Sequence, residues 1–197
     1  MLALILAGGR GTRLELGEKP LVTIQGRPML DYVIEAFSGE GHELVVVVSE
    51  KTPFTRNWCR ARGISQITAS GSGYVDDIAE AIHLLEENDP FFTCVADLPC
   101  LRGEIIREIE SRYLQSGKEA CSVWVPMDLA NRSGCRSSYL CRIEGSAACP
   151  AGINILRGDL IDRPQDEIQI LLHDIRLAYN INTREELDRV RSLLADR

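Results

Sequence analysis

The sequence has no apolar run approaching the ~18 residues that a membrane-spanning helix needs, so no membrane span is expected. It has no CxxC pair either. Its seven cysteines, at 59, 94, 100, 121, 135, 141 and 149, are odd in number and irregular in spacing. That supports neither a disulfide framework nor a zinc ribbon and reads as small buried thiols in a reducing compartment. Crowding of Cys135, Cys141 and Cys149 leaves a metal or redox role open there. Histidines are few: His42, His83 and His173 stand apart, and no Ser/His/Asp or Cys/His pairing follows from their order. The opening MLALILAGGRGTR lacks the longer apolar run and preceding positive charge of a signal peptide, so a cytoplasmic location is expected. Positive charge is the minority sign, 22 Lys and Arg against 29 Asp and Glu for a net −7. That weighs against nucleic acid as a partner, because phosphate neutralisation needs many cations.

What is present is a globular mix, 45% hydrophobic and 26% charged over 197 residues. At roughly 150 residues per domain this is one domain, 1–197, with no internal repeat and no linker-like tract. Residues 1–30 carry Arg10, Arg13, Lys19 and Arg27 against Glu15 and Glu18, a local +2 that leaves −9 for the rest. A basic patch on an acidic protein suits a small anionic ligand.

Apolar runs bounded by turn signals predict strands at 2–6, 21–24, 44–48, 64–68, 91–96 and 121–125. Helical spacing marks 29–37, 55–62, 74–87 and 103–116. Strands alternating with helices predict βαβ units and a mostly parallel twisted sheet, with ligands beyond the carboxyl ends of the strands. Residues 128–149 are small and polar, with an edge strand expected at 139–143. A loop then enters a strand over 149–156, and a final strand is expected at 176–181. Thr183 followed by Glu186 forms a capping box for a last helix through Leu194.

The segment Leu6-Ala7-Gly8-Gly9-Arg10-Gly11-Thr12-Arg13, followed by Lys19-Pro20, carries the chemistry. Glycines let backbone N–H groups approach phosphate oxygens, and Arg13 and Lys19 add full charges. A Walker A loop is excluded, since no lysine follows the second glycine at the required spacing. A dinucleotide loop is excluded too: Leu14 stands where the third glycine belongs, and Gly17 and Pro20 break the helix it would open. The pattern GGxGTR…KP of nucleotidyltransferases matches at every defined position. Ser70-Gly71-Ser72-Gly73-Tyr74 offers a second close backbone approach at a helix start. Asp76 and Asp77 suit that helix's dipole, and a functional reading of Asp77 stays open. Asp97 ends a strand and faces the expected crevice, or else forms a turn before Pro99. Asn154, Asn180 and Asn182 are amides at strand ends that can read a base, ribose or phosphate, or close Asx turns.

These motifs resemble the sugar-nucleotide and cofactor nucleotidyltransferases. Within them the chain is similar to the archaeal adenosylcobinamide-phosphate guanylyltransferases. The resemblance rests on LAGGRGTR (6–13), EKPLV (18–22), DYV (31–33), SGSGYVDDI (70–78), PAGINIL (150–156) and NINTREEL (180–187) and spans nearly the whole chain. It implies a three-layer Rossmann-like (GT-A-like) α/β fold with a mostly parallel mixed sheet. It implies transfer of GMP from GTP to adenosylcobinamide phosphate, with pyrophosphate released. Leu6, Ala7, Gly8, Gly9, Arg10, Gly11, Thr12, Ser70, Gly71, Gly73, Gly152, Asn154 and Asn180 would bind the nucleotide, with base and ribose along 70–74. Arg13 would hold the β- and γ-phosphates and Lys19 would sit near the α-phosphate. Asp97 would hold Mg²⁺. Arg132 and Arg136 are candidates to touch the corrinoid, and the oligomeric state, a homodimer included, stays open. A molybdenum-cofactor guanylyltransferase is the nearest rival. An NAD-dependent oxidoreductase fits less well, because Asp31 lies in a predicted helix and Glu50 is too distant. A non-catalytic GTP-binding module is a third reading.

Overall fold

The computed structural model of the chain describes residues 1–9, 11, 14–134 and 140–195. β1 (Leu2–Leu6) leads through a long loop to a two-residue hairpin, β2 (Thr23–Ile24) and β3 (Arg27–Pro28), and to α1 (Met29–Ser38). There follow β4 (Glu43–Ser49), α2 (Pro53–Ala61), β5 (Gln66–Ala69), α3 (Tyr74–Leu85), β6 (Pro90–Val95) and α4 (Gly103–Ser116). The chain continues with β7 (Ala120–Pro126), α5 (Met127–Ser133), β8 (Cys141–Ile143), β9 (Ser146–Arg157), β10 (Glu167–Leu171) and α6 (Arg184–Ala195).

The main sheet runs β10-β7-β9-β6-β1-β4-β5, with β8 beside β9. β1 pairs in parallel with β4 and β6, β4 with β5, and β10 with β7. β9 runs antiparallel to β6, β7 and β8, which makes the sheet mixed. The unbroken apolar runs LALIL and LVVVV are what strands covered on both faces require. Ala3, Ile5, Val46 and Val48 pack with α1, α2 and α4 on one face, and Leu2, Leu4, Val45 and Val47 pack with α3 on the other. Three layers result. The chain passes from β1 to β4 and β5 on one side and returns to β6 on the other side of β1. The crevice at the carboxyl ends of β1 and β6 is therefore the topological switch point.

Three local expectations are corrected. Residues 176–181 do not form the final strand: Ile175–Ala178 is a 3-10 turn opened by Asp174, whose side chain accepts from Arg176 N. The last strand is β10, whose Ile168 and Ile170, with Leu172 just past its end, join the core beneath α4. The strand expected at 21–24 shrinks to Thr23–Ile24, because Lys19–Leu21 turns around Pro20. The small, polar stretch 128–149, where no helix was expected, opens inside a short helix, Met127–Ser133, that ends at Gly134 in the left-handed region.

Candidate active site

Three strand ends and one helix start meet at the switch point around a cavity of about 680 Å³. Leu6, Ala7, Gly8, Gly9, Gly11, Lys19, Gly71, Gly73 and Asp97, all singled out in the sequence, line it together. On the β1 side the backbone must stay bare. A Cβ on Gly8 would lie 3.3 Å from Ser49 Cβ, and Gly11, with φ of +60°, would collide through its Cβ with Lys19. Ser49 Oγ donates to Gly8 O at 2.7 Å and accepts from Lys51 N at 3.1 Å, stitching the exits of β1 and β4 together.

Lys19 forms an ion pair with Asp97 Oδ2 across 78 residues of sequence, both side chains about 15% exposed. Lys19 Nζ also donates to Asn182 Oδ1 at 2.9 Å, and Asn182 Nδ2 donates to Asn180 Oδ1 at 2.9 Å. The second Asp97 oxygen, Oδ1, is buried without a hydrogen-bond partner among the described residues. A buried, unpaired carboxylate oxygen is costly unless a ligand completes it. No group of three or more His, Cys, Asp or Glu among the described residues is arranged to hold a metal by itself. A magnesium ion, which keeps few protein ligands and takes substrate phosphates, fits this lone oxygen.

At the opposite wall, Gly71 N and Ser72 N donate to Asp77 Oδ1 at 2.9 and 3.1 Å. Asp77 is 9% exposed and lines the cavity from behind this loop. It holds N–H groups of the loop before α3, whereas the sequence suggested only a fit to the helix dipole. Tyr74 shares a hydrogen bond with Thr93 Oγ1 at 3.1 Å, and Asn154 Nδ2 donates to the Tyr74 hydroxyl at 3.0 Å and to Thr93 at 3.2 Å. Burial of its hydroxyl end pushes the Tyr74 pKa up, although 41% of the residue is exposed.

Four other singled-out residues stand off the cavity lining. Ser70 N donates to Glu80, and its hydroxyl meets Ser72. That backbone bond holds the Glu80 carboxyl below its ordinary range. Asn154 braces Tyr74, and Asn180 lies behind Asn182. Gly152 keeps φ of +79° beneath Val95, where a Cβ would come within 2.6 Å of Val95 Cγ2. Arg10, Thr12, Arg13 and Arg136 lie outside the described residues, as does Cys135. Arg132 is exposed and faces Asp128 at 3.9 Å.

Sequence reasoning missed Lys51. It lines the cavity, and its Nζ donates to Gly71 O. Its position just beyond the carboxyl end of β4 was the available signal. Asp31 and Glu50, the acids weighed for a nicotinamide cofactor, are taken up by Arg27 and Arg62, and by Arg56. Cys59 and Cys121 are buried, which pushes their thiols up to about 11 and about 12 and leaves them unreactive at neutral pH. His42 and His83 belong to no metal cluster among the described residues. No helix among them is long and apolar enough to cross a membrane.

Residues 3–197 match the model of the MobA-like NTP transferase domain. The chain is 31% identical to the adenosylcobinamide-phosphate guanylyltransferase of Methanocaldococcus jannaschii, over 98% of this chain and 96% of that protein. It is 28% identical to the molybdenum cofactor guanylyltransferase of Shewanella halifaxensis, over 59% of this chain and 58% of that one. Among solved structures, the molybdopterin-guanine dinucleotide biosynthesis protein A of Archaeoglobus fulgidus superposes with a TM-score of 0.70 over all of both chains at 16% identity, a likeness of fold.

Proposed function

The chain belongs to the MobA-like NTP transferase family, and on that premise we propose that it transfers GMP from GTP to adenosylcobinamide phosphate. The products are adenosylcobinamide-GDP and pyrophosphate. The acceptor and the base are those named for the Methanocaldococcus jannaschii relative, which aligns end to end with this chain. The observation that carries a transfer chemistry is the largely buried Lys19–Asp97 pair at the wall of a glycine-lined cavity, with one Asp97 oxygen left without a partner among the described residues.

The attacking atom is a phosphate oxygen of the acceptor, already ionised at neutral pH. No general base is needed, and the work reduces to alignment and charge stabilisation. The acceptor oxygen forms a bond to the α-phosphorus as the α–β bridging bond breaks, and that electron pair leaves on pyrophosphate. Backbone N–H groups of Gly8, Gly9 and Gly11, with Arg13, would hold the β- and γ-phosphates. Lys19, steadied by Asn182, would exchange part of its contact with Asp97 for an α-phosphate oxygen as negative charge builds there. Asp97 Oδ1 would hold Mg²⁺, which neutralises phosphate charge and helps pyrophosphate leave. Base and ribose would lie toward Gly71, Gly73 and Tyr74, with Lys51 as a cationic donor facing a base carbonyl.

The test offers the purified protein GTP and Mg²⁺ with each of two acceptors. Pyrophosphate release with adenosylcobinamide phosphate, and none with molybdopterin, is expected. Release with molybdopterin alone would transfer the chain to the molybdenum-cofactor branch. Calorimetric titration with GTP, ATP, CTP and UTP checks the base, with GTP expected to bind tightest.

A further inference from the structure

The residue beside Lys19 ties the phosphate loop to a distant helix. α2 opens without a cap of its own: Thr52, at its N-cap position, turns its hydroxyl back to Ser49, accepting from Ser49 N at 3.1 Å and donating to Ser49 O at 3.3 Å. The first N–H groups of a helix need acceptors, and its N-terminus favours negative charge. Glu18 fills both needs from 36 and 37 residues upstream. Its Oε1 accepts from Phe54 N at 2.8 Å, and its Oε2 accepts from Thr55 N and Thr55 Oγ1, both at 2.6 Å. Thr55 is fully buried, so the anchor point is part of the packed core.

Three bonds to one carboxylate, two of them from backbone, fix where the chain stands one residue before Lys19. The next turn, Lys19–Leu21, then aims the Lys19 stem past Gly11 toward Asp97. The helix that Glu18 grips also follows directly on Lys51, the cation at the other wall of the cavity. We propose that Glu18 is a positioning residue: its carboxylate locks the phosphate loop to the start of α2 and thereby holds the Lys19 ammonium at the reacting phosphate. The proposal rests on the reading of Lys19 given above. The Glu18 carboxylate itself is occupied by Phe54 and Thr55 and is not assigned to substrate.

A double-mutant cycle tests it. Glu18→Ala should lower kcat about 10- to 100-fold, the scale of an ångström-sized misplacement of a reacting group, with little change in KM for the acceptor. In a Lys19→Ala background the same change should cost less than about twofold, because residues acting through one another are not additive. Glu18→Gln keeps an acceptor oxygen for the helix and should regain most of the turnover. Should Glu18→Ala lower the melting temperature enough to prevent assay, Glu18→Asp carries the cycle, because it keeps the charge at the helix start but is one methylene shorter and so displaces the loop. Equal losses in both backgrounds, or wild-type kcat in Glu18→Ala, would overturn the role of Glu18 while leaving that of Lys19 intact. Wild-type turnover in Lys19→Ala alone would remove Lys19 from the chemistry, and the positioning role of Glu18 with it.

Discussion

Lys19 and Asp97 are far apart in sequence, and each alone is an ordinary surface charge by type. Together, with Asn182, they form a partly desolvated pair whose unfilled oxygen marks where a cation and phosphate would complete it. Replacing Lys19 by Ala removes a donor aimed at developing charge. Turnover should fall about 10²- to 10³-fold, or roughly 3–4 kcal/mol, as for lost donors of oxyanion type. Initial rates of pyrophosphate release measure it, and near-normal rates would contradict the assignment. Asp97→Asn keeps the shape and removes the charge. The magnesium titration of the rate should shift to at least about tenfold higher concentration, given how far hard cations depend on carboxylate charge. An unmoved midpoint would take Asp97 out of the metal site.

At the scale of elements, the site is a set of loop ends held by caps. The start of α6 is one example: Glu186 Oε2 accepts from Asn182 N at 2.6 Å and Thr183 N at 2.9 Å, and Thr183 Oγ1 accepts from Glu186 N at 3.3 Å. This capping box sets the residue that steadies Lys19. Glu186→Ala should cost about 1 kcal/mol of stability, as cap losses do, which lowers the melting temperature by roughly 2–4 °C for a chain of this size. Calorimetry reads the first effect, and a fall in kcat beyond it reads the loosening of Asn182.

The same capping box was legible in the sequence, because its residues are three apart and act locally. So were the glycine loop, the parallel strands and the place of Asp97 just past the end of β6, whose signals are runs and turn residues. What was not legible depended on tertiary choice. Both 168–172 and 176–181 have apolar residues enough for a strand, and only pairing beside β7 selects the first, while Asp174 turns the second into a 3-10 segment. Asn180 and Asn182 looked equivalent, yet only Asn182 reaches Lys19. The contacts of Glu18 and Lys51 were not legible, since their side-chain partners lie at least twenty residues away; only the place of Lys51 just past β4 hinted at a role.

Across the whole molecule, the sheet edge far from the cavity is tied down by charge. Asp174 accepts from Arg176 Nε at 3.0 Å and Nη2 at 2.6 Å, and Arg176 Nη1 reaches Glu104 at the start of α4 at 2.5 Å. Hydrogen bonds from Arg176 hold both carboxyls below their ordinary range. An unfolded chain binds these protons near pH 4, whereas the folded one resists them. The contribution to stability is therefore complete above about pH 4 and is lost as pH falls through the depressed folded values. Arg176→Met should destabilise the protein by a constant amount near neutrality, and that difference should shrink below about pH 4. Denaturant unfolding at a series of pH values measures it, and a difference that persists unchanged to the acid limit would contradict the linkage.

Transfer of a nucleotidyl group moves the α-phosphate of the nucleotide and leaves the γ-phosphate behind in pyrophosphate. Incubation with adenosylcobinamide phosphate and GTP labelled at either the α- or the γ-phosphorus tests this. The α label should appear in the corrinoid product and the γ label in free pyrophosphate. A γ label on the corrinoid, or an α label that never leaves the nucleotide pool, would contradict it.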